Sequence, residues 1–220
     1  MPRYPLVCFD LDGTLVSGMT YVWTAMHQRF GTDAVARQEA KEAFFAGRIA
    51  YEDWFDNDIE LLRAAGATRA LLLDLFRGMP LVPGSRETLA ALRAAGVRIA
   101  VLSGSVDLLL ETALPGERFD HVLINRLRFD ADGRLAGGSA TPFDVDRKGE
   151  GIRELCRREG IGEDRCAFVG DNENDLSAAH AAGFSVAFDC KSERLARAAS
   201  VVVPGGDLRA VLPYVLDGGA

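Results

Sequence analysis

Apolar and polar positions are spaced in two different ways along this chain, and the change of pattern divides it. Residues 6–9 (LVCF) are four consecutive apolar residues, which is typical of a buried strand in a parallel sheet. From residue 15 to residue 80 the spacing is helical instead, and glycines separate the segments. The helices predicted in this region cover 21–30, 34–46, 51–64 and 68–77.

From residue 81 onward, short apolar runs and helical segments follow each other in turn. The predicted strands cover 97–102, 121–127, 166–169, 185–188 and 200–203. The predicted helices cover 86–95, 148–159, 175–182, 193–199 and 207–216. One more helix is predicted to follow residues 103–105 and to end at residue 114. The turn sequence DADG at 130–133 predicts one hairpin that departs from this order.

This order of elements predicts the fold class. Strands joined through helices form a parallel sheet with helices on both faces. We expect an α/β protein with a doubly wound, mostly parallel Rossmann-like sheet, built from residues 1–14 and 81–220, and a helical cap subdomain inserted at 15–80. Half of the aromatic residues lie in 15–80, both tryptophans among them, which predicts a small hydrophobic core within the cap.

Length and charge limit the classes of function. A chain of 220 residues fits one domain with an insertion, and 25 Lys and Arg against 32 Asp and Glu give a formal net charge of −7. This charge disfavours binding to nucleic acid or to anionic membranes, so we expect a small substrate. The sequence has neither a charged leader nor an apolar run of the roughly 20 residues that span a membrane. The four cysteines lack metal-ligand spacing and predict buried, reduced thiols in a soluble, cytoplasmic protein. The sequence does not indicate an oligomeric state.

Two carboxylates, Asp10 and Asp12, follow the first predicted strand directly. Sheets of this class bind ligands at the carboxyl ends of their strands. Carboxylates this close repel each other unless a cation lies beside them, and Mg²⁺ is commonly held by one or two carboxylates together with phosphate and water. The alternative is an Asp-Gly turn with a helix-capping aspartate, which is common after strands. This pattern alone does not decide between the two.

Three further segments place polar groups where predicted strands end or helices begin. Ser103 and Gly104 follow an apolar strand, where a hydroxyl and backbone N–H groups can hold a phosphate oxygen, although a helix-capping serine explains the same pattern. Lys148 begins a predicted helix, a position typical of surface lysines. Asp171 and Asp175 follow the strand at 166–169, and acids there also compensate a helix dipole.

Taken in order, these segments resemble the four motifs of the haloacid dehalogenase superfamily. Residues 10–16 (DLDGTLV) resemble the first motif, 101–104 (VLSG) the second, Lys148 in RKGE the third, and 170–175 (GDNEND) the fourth. The resemblance covers nearly the whole chain and is best with phosphoserine phosphatases and their relatives, through MPLVPG at 79–84 and NRL at 125–127. It implies a phosphomonoester hydrolase that acts on a small phosphorylated metabolite.

The resemblance also implies the roles of individual residues. Asp10 is the expected nucleophile, which forms an aspartyl-phosphate and so divides the hydrolysis into two steps. Asp12 is the expected general acid and then general base. Ser103, Gly104 and Lys148 are expected to bind the phosphoryl oxygens.

A magnesium site follows from the same resemblance. Asp10, Asp171 and the backbone carbonyl of Asp12 are the expected ligands, with Asp175 supporting the metal site and Asn174 contacting the substrate. A phosphotransferase or mutase would share the aspartyl-phosphate, and a non-catalytic binding module could use the same fold, so both remain alternatives. Metal-free dehalogenase chemistry is disfavoured because Asp12 is present.

Two cap positions depart from the phosphoserine phosphatase pattern. Met19 aligns with the glutamate that binds the serine amine, and Asp58 aligns with the arginine that binds its carboxylate. Trp54 and Asp58 share one face of the helix predicted at 51–64 and could contact the substrate, which would favour a cationic or neutral leaving group. We favour the alternative, in which Trp54 and Phe55 fill the cap core and the acids of this segment face solvent. The three histidines show no shared spacing or acidic partner, and we expect them to be structural.

Overall fold

The computed structural model describes residues 2–217 and contains a seven-stranded sheet. The strands are β1 (Leu6–Phe9), β2 (Arg98–Val106), β3 (His121–Phe129), β4 (Leu135–Ser139), β5 (Cys166–Gly170), β6 (Phe184–Phe188) and β7 (Val201–Val203). Their order in the sheet is β4-β3-β2-β1-β5-β6-β7. Every neighbouring pair is parallel except β3 and β4. The expected α/β fold with a mostly parallel Rossmann-like sheet is confirmed.

The helices fall into two sets. The first set, between β1 and β2, is α1 (Val22–Phe30), α2 (Ala34–Phe45), α3 (Tyr51–Ala64), α4 (Arg69–Arg77) and α5 (Ser85–Ala94). The second set is α6 (Asp107–Ala113), α7 (Lys148–Glu159), α8 (Leu176–Ala181), α9 (Glu193–Ala198) and α10 (Leu212–Asp217). All four helices predicted in the cap are present, with ends within one residue of the prediction. Within residues 2–217, no helix combines the length and the apolar character needed to cross a bilayer.

β1 lies at the centre of the sheet, between β2 and β5, and all four of its side chains are fully buried. The predicted separate core of the cap is wrong. Cap side chains such as Met26 and Phe76 belong to the same hydrophobic cluster as Phe9 and Val101 of the sheet. The helical region lies directly against the sheet, so its apolar residues extend the main core. Three of the four cysteines are buried, Cys190 is partly buried, and all are free thiols.

The hairpin predicted at 130–133 joins β3 to β4, and it also contacts the cap. Asp130 Oδ1 accepts hydrogen bonds from the backbone N–H of Asp132 at 3.0 Å and of Arg134 at 2.8 Å, which closes the turn. The backbone N–H of Leu135 donates to the carbonyl of Ala67, between α3 and α4 of the cap, at 2.9 Å. The hairpin therefore links the cap to the sheet.

β2 is longer than predicted, and it corrects the expected setting of Ser103. The strand continues through residues 103–105, and α6 begins only at Asp107, so Ser103 and Gly104 do not lie at a helix start. The carbonyl of Gly104 accepts hydrogen bonds from Asn125 Nδ2 at 2.7 Å and from Trp23 Nε1 at 2.8 Å. These bonds hold the backbone extended past the expected strand end.

Candidate active site

The turn after β1 brings its two acids to the carboxyl edge of the sheet. The backbone N–H of Asp10 donates to the carbonyl of Val169 at 2.9 Å, which continues the pairing of β1 with β5. Gly13 then adopts a left-handed conformation with φ of +83°, and a Cβ there would lie 2.2 Å from Asp171 Oδ2. Only glycine suits this position, because the turn needs both a positive φ and room for the facing carboxylate.

Lys148 is fully buried and is not a surface residue. Its Nζ donates to Asp10 Oδ1 at 2.8 Å and to Asp175 Oδ1 at 2.6 Å. Burial lowers the pKa of Lys148, but the charges of Asp10, Asp175 and Asp144 outweigh it and raise the pKa well above its usual value. Lys148 is therefore a fixed cation between two carboxylates.

Asp175 holds the loop after β5 in place. Its Oδ2 accepts hydrogen bonds from the backbone N–H of Asp171 at 2.9 Å and of Asn172 at 3.2 Å, and its Oδ1 binds Lys148. Burial raises the pKa of Asp175 to about 6. Because both oxygens already have donors, Asp175 serves to orient Asp171 and Lys148.

The carboxylates of Asp10, Asp171 and Asp175 form a buried cluster with one oxygen of each within 4.8 Å of the others. Burial, followed by the charges of Asp10 and Asp175, raises the pKa of Asp171 to about 7. Lys191 Nζ lies 2.5 Å from Asp171 Oδ2 and partly offsets this negative charge. An all-oxygen set that holds excess negative charge fits Mg²⁺. The side chain of Asp12 lies outside this cluster, and the metal ligand expected from Asp12 is its backbone carbonyl.

The Asp12 carboxylate is directed toward the cap. Its Oδ2 accepts a hydrogen bond from the backbone N–H of Val22, the first residue of α1, at 2.6 Å. Its Oδ1 is buried and has no hydrogen-bond partner among residues 2–217. Burial and the charge of Asp10 raise the pKa of Asp12 to about 7. A carboxyl group with this pKa exchanges a proton readily near neutral pH, as a general acid and base must.

A cavity of about 570 Å³ lies between these carboxylates and the cap. Five of the six residues predicted to bind substrate line it, together with Asp10 and Asp12; the five are Ser103, Gly104, Asn174, Trp54 and Asp58. The sixth, Lys148, is not part of the lining and lies behind Asp10. Ser103 is buried, and its Oγ accepts a hydrogen bond from the backbone N–H of Ser105 at 3.2 Å. The predicted nucleophile, the predicted general acid and most of the predicted substrate-binding residues therefore line one cavity.

A family model for haloacid dehalogenase-like hydrolases matches residues 4–183. This chain belongs to the haloacid dehalogenase-like hydrolase family. The four-motif resemblance in the sequence is confirmed.

Relatives and solved structures indicate to which group of haloacid dehalogenase-like hydrolases this chain is most similar. The chain is 28% identical to the phosphoserine phosphatase of Methanocaldococcus jannaschii, over 96% of this chain and 97% of that protein. It is 30% identical to the phosphoserine phosphatase of Halobacterium salinarum, over 84% and 86% of the two chains. A structure of a phospho-aspartyl intermediate analogue of phosphoserine phosphatase matches with a TM-score of 0.73 at 26% identity, covering 96% of this chain and 98% of that chain. The chain is a phosphatase of the phosphoserine phosphatase-like group.

Within this haloacid dehalogenase-like fold, the cap carries a polar cluster that the sequence did not reveal. Asp58 is 4% exposed, and its Oδ1 lies 3.3 Å from His27 Nε2 and 3.8 Å from Arg37 Nε. His27 Nδ1 also lies 2.7 Å from Thr32 Oγ1. The expectation that the histidines lack acidic partners is wrong for His27, and also for His121, whose Nε2 lies 2.5 Å from Glu159 Oε1. These partners are distant in sequence, so no local pattern indicates them.

The aromatic residues of α3 have different surroundings. Phe55 is buried in the core and packs edge-on against Trp23, with ring centroids 5.5 Å apart. Trp54 stacks on Phe44 with ring centroids 5.1 Å apart and also lines the cavity. The favoured alternative, in which both rings fill the core and the acids face solvent, is therefore wrong for Trp54 and for Asp58. Met19 is only partly buried and does not belong to the lining of this cavity.

Two hydrogen bonds from aromatic side chains hold the cap against the sheet. Trp23 Nε1 donates to the carbonyl of Gly104, and Tyr51 Oη donates to Asp144 Oδ2 at 2.8 Å. Asn125 Nδ2 donates to Tyr51 Oη at 3.1 Å. Burial and then the charge of Asp144 raise the pKa of Tyr51 well above its usual value, so the phenol stays protonated and can donate. Sequence reasoning missed Tyr51 and Asp144, because neither belongs to a motif.

Proposed function

We propose that this phosphatase is a magnesium-dependent phosphomonoester hydrolase that forms an aspartyl-phosphate on Asp10. The observation that supports it most is the position of Asp10, which is fixed by buried Lys148 and stands beside Asp12, a carboxyl group with a pKa near 7. In this proposal, Asp10 is a positioned nucleophile, and Asp12 is the proton donor and acceptor. Both face one cavity.

The reaction follows from these positions. A carboxylate oxygen of Asp10 bonds to phosphorus while the ester P–O bond breaks, and Asp12 gives its proton to the departing oxygen. Asp12 then takes a proton from a water molecule whose oxygen attacks the same phosphorus. The bond between phosphorus and Asp10 breaks, which releases inorganic phosphate and restores the Asp10 carboxylate and the protonated carboxyl group of Asp12.

The other site residues bind and orient the phosphoryl group. Ser103 and the backbone of Gly104 line the cavity next to Asp10 and can donate hydrogen bonds to phosphoryl oxygens. Asp10 and Asp171 would hold Mg²⁺, which when bound offsets the repulsion between the carboxylates and the phosphoryl oxygens. Lys148 neutralises part of the same charge.

We further propose that the cap selects a leaving group through residues other than those of phosphoserine phosphatases. Met19 and Asp58 replace the two residues that the resemblance assigns to the serine amine and carboxylate. The net charge of −7 supports a small phosphorylated metabolite over nucleic acid as substrate, and a cytoplasmic location belongs to the same proposal.

The test is the release of alcohol and of phosphate from p-nitrophenyl phosphate. Wild-type protein should turn over with Mg²⁺, lose activity in chelator, and be inhibited by Ca²⁺, which takes more ligands at longer distances. Asp10→Asn should be inactive, whereas Asp132→Asn, in the exposed hairpin turn, should match the wild type. After acid quenching, mass spectrometry should find one phosphoryl group on the peptide that contains Asp10.

Two results would contradict the proposal. Full activity of freshly purified Asp10→Asn, with deamidation excluded by mass spectrometry, would show that Asp10 is not the nucleophile. Release of the alcohol without inorganic phosphate, together with phosphorylation of an added alcohol, would identify a phosphotransferase instead.

A further inference from the structure

One face of α2 forms a wall of the cavity. None of the residues of α2 is buried, although the helix packs against α3. The residues of α2 that line the cavity lie on one helical stripe, at Ala34, Arg37, Gln38, Lys41 and Phe45. An amphipathic helix normally buries such a stripe in the core. Since a helix rises about 1.5 Å per residue, this wall is about 16 Å long, more than a serine leaving group needs.

Polar hydrogens on this side of the cavity lack acceptors. Arg37 Nε and Trp54 Nε1 are both buried, and neither donates a hydrogen bond to any residue in the described part of the chain. Both side chains line the cavity, and Lys41 stands one helical turn from Arg37. Buried N–H groups nearly always find an acceptor in a folded protein. This side of the cavity therefore offers two N–H groups that can donate hydrogen bonds to acceptors of a bound group.

Asp58 offsets only part of the positive charge here. Its Oδ1 is shared between His27 at 3.3 Å and Arg37 at 3.8 Å, and the second distance is too long for a hydrogen bond. Arg37 and Lys41 together carry one more charge than an ionised Asp58. The remaining acids of the lining, Asp10, Asp12 and Asp144, belong to the sheet side and not to the cap.

We propose that the leaving group carries a second anionic group, which Arg37 and Lys41 bind, on an apolar body that packs beside Trp54 and Phe45. This inference rests on the proposed phosphatase function. It reverses the preference expected from Asp58 alone, because Arg37 lies within ion-pair distance of Asp58 and Lys41 adds a second cation to the lining. The flat guanidinium of Arg37 suits a carboxylate or a phosphate, and the aromatic rings supply a surface for the apolar part.

The test compares two esters of similar size that differ in charge, 4-(carboxymethyl)phenyl phosphate and 4-(2-aminoethyl)phenyl phosphate, with phenyl phosphate as the uncharged reference. The methylene groups keep the charge from altering the leaving oxygen. We expect kcat/KM for the carboxymethyl ester to exceed that for the aminoethyl ester by about 10- to 100-fold, which is the range of a hydrogen-bonded charge pair.

Variants of Arg37 and Lys41 test whether these two cations cause the preference for the carboxymethyl ester. Arg37→Met and Lys41→Met should each lower the ratio of kcat/KM for the carboxymethyl ester to that for phenyl phosphate, by about 10-fold for Arg37→Met. Arg37→Lys should keep part of the ratio. The control is Arg29→Met on α1, which removes the same charge from an exposed residue outside the cavity lining and should leave the ratio unchanged. Lys41 is exposed, so its variant tests the proposal even if Arg37→Met unfolds.

The outcomes separate the inference from the proposed function. A preference for the aminoethyl ester, or ratios that do not change in either variant, would overturn the anion site while magnesium-dependent hydrolysis of phenyl phosphate still supports the phosphatase. If no ester is hydrolysed by wild-type protein with Mg²⁺, the proposed function fails, and the inference fails with it.

Discussion

Replacing Lys148 with methionine should destabilise the protein more than any surface ion pair could. Lys148 is fully buried and is bound to Asp10 at 2.8 Å and to Asp175 at 2.6 Å. Methionine fills most of the volume of the side chain but leaves two buried carboxylates without their cation. Breaking a buried pair in this way costs about 3–5 kcal/mol. For a chain of this length, about 2–4 °C per kcal/mol gives a fall in Tm of about 6–20 °C.

The pH dependence of this loss tests its cause. Without Lys148, the pKa of Asp175 in the folded state, which is already about 6, should rise further above the unfolded value of about 3.9. The folded protein then binds more protons than the unfolded chain, so its stability falls as the pH rises through this interval. Urea unfolding in chelator should therefore show a larger loss for Lys148→Met at pH 8 than at pH 5.

Lys191→Met is the matched control. Lys191 also pairs with a site carboxylate, Asp171, but its side chain is 39% exposed, so water and salt screen the pair. Its removal should change the free energy of unfolding by less than about 1 kcal/mol. If Lys148→Met and Lys191→Met destabilise equally, or if the loss for Lys148→Met does not depend on pH, buried charge compensation is not the role of Lys148.

Two further predictions concern the acids of the site. Asp12→Asn should lower kcat for an alkyl phosphate by about 10²- to 10⁴-fold, because the amide cannot give or take the proton. Steady-state kinetics measure this change, and a kcat of the variant equal to that of the wild type would contradict it. In chelator, the wild-type free energy of unfolding should fall from pH 5 to pH 8, since burial raises the pKa of Asp12 and Asp171 to about 7 and of Asp175 to about 6 in the folded state. Mg²⁺ should remove most of this fall in urea titrations, and a metal-free stability that rises with pH would contradict the assignment.

The positions of the candidate catalytic acids were predictable because the sequence pattern that indicates them is local. Asp10 and Asp12 follow a buried strand, and parallel strands end at one edge of a sheet. Asp171 also follows a buried strand, so the parallel topology of the sheet alone predicted that it lies close to Asp10 and Asp12. Lys148 had no such signal of its own. A lysine at a helix start is normally exposed, and its burial depends on the packing of α7 against β2 and α8, which only the folded structure shows.

The cap was predictable as helices but not as a binding surface. Helical spacing and glycines located α1 to α4 within a residue, since both signals act over a few residues. The pairing of His27 with Asp58 joins α1 to α3 across 31 positions of sequence. The stripe on α2 resembled an ordinary exposed helix, because a cavity wall and a solvated face have the same polar composition.

The structure also indicates why recognition of the leaving group should affect the rate and not only binding. The first residue of α1, Val22, donates its backbone N–H to the carboxylate of Asp12, and the next residue, Trp23, donates to the carbonyl of Gly104. The same helix carries His27, which contacts Asp58 in the cap cluster. α1 therefore connects the leaving-group side of the cavity to Asp12, the proposed proton donor, and to β2, which we propose binds the phosphoryl group. We expect a leaving group that fits α2 and α3 to keep α1 in place over Asp12, and a poor fit to weaken the orientation of this proposed proton donor. Discrimination by the cap should accordingly appear in kcat as well as in KM, as expected when binding energy away from the reacting atoms is used to position them.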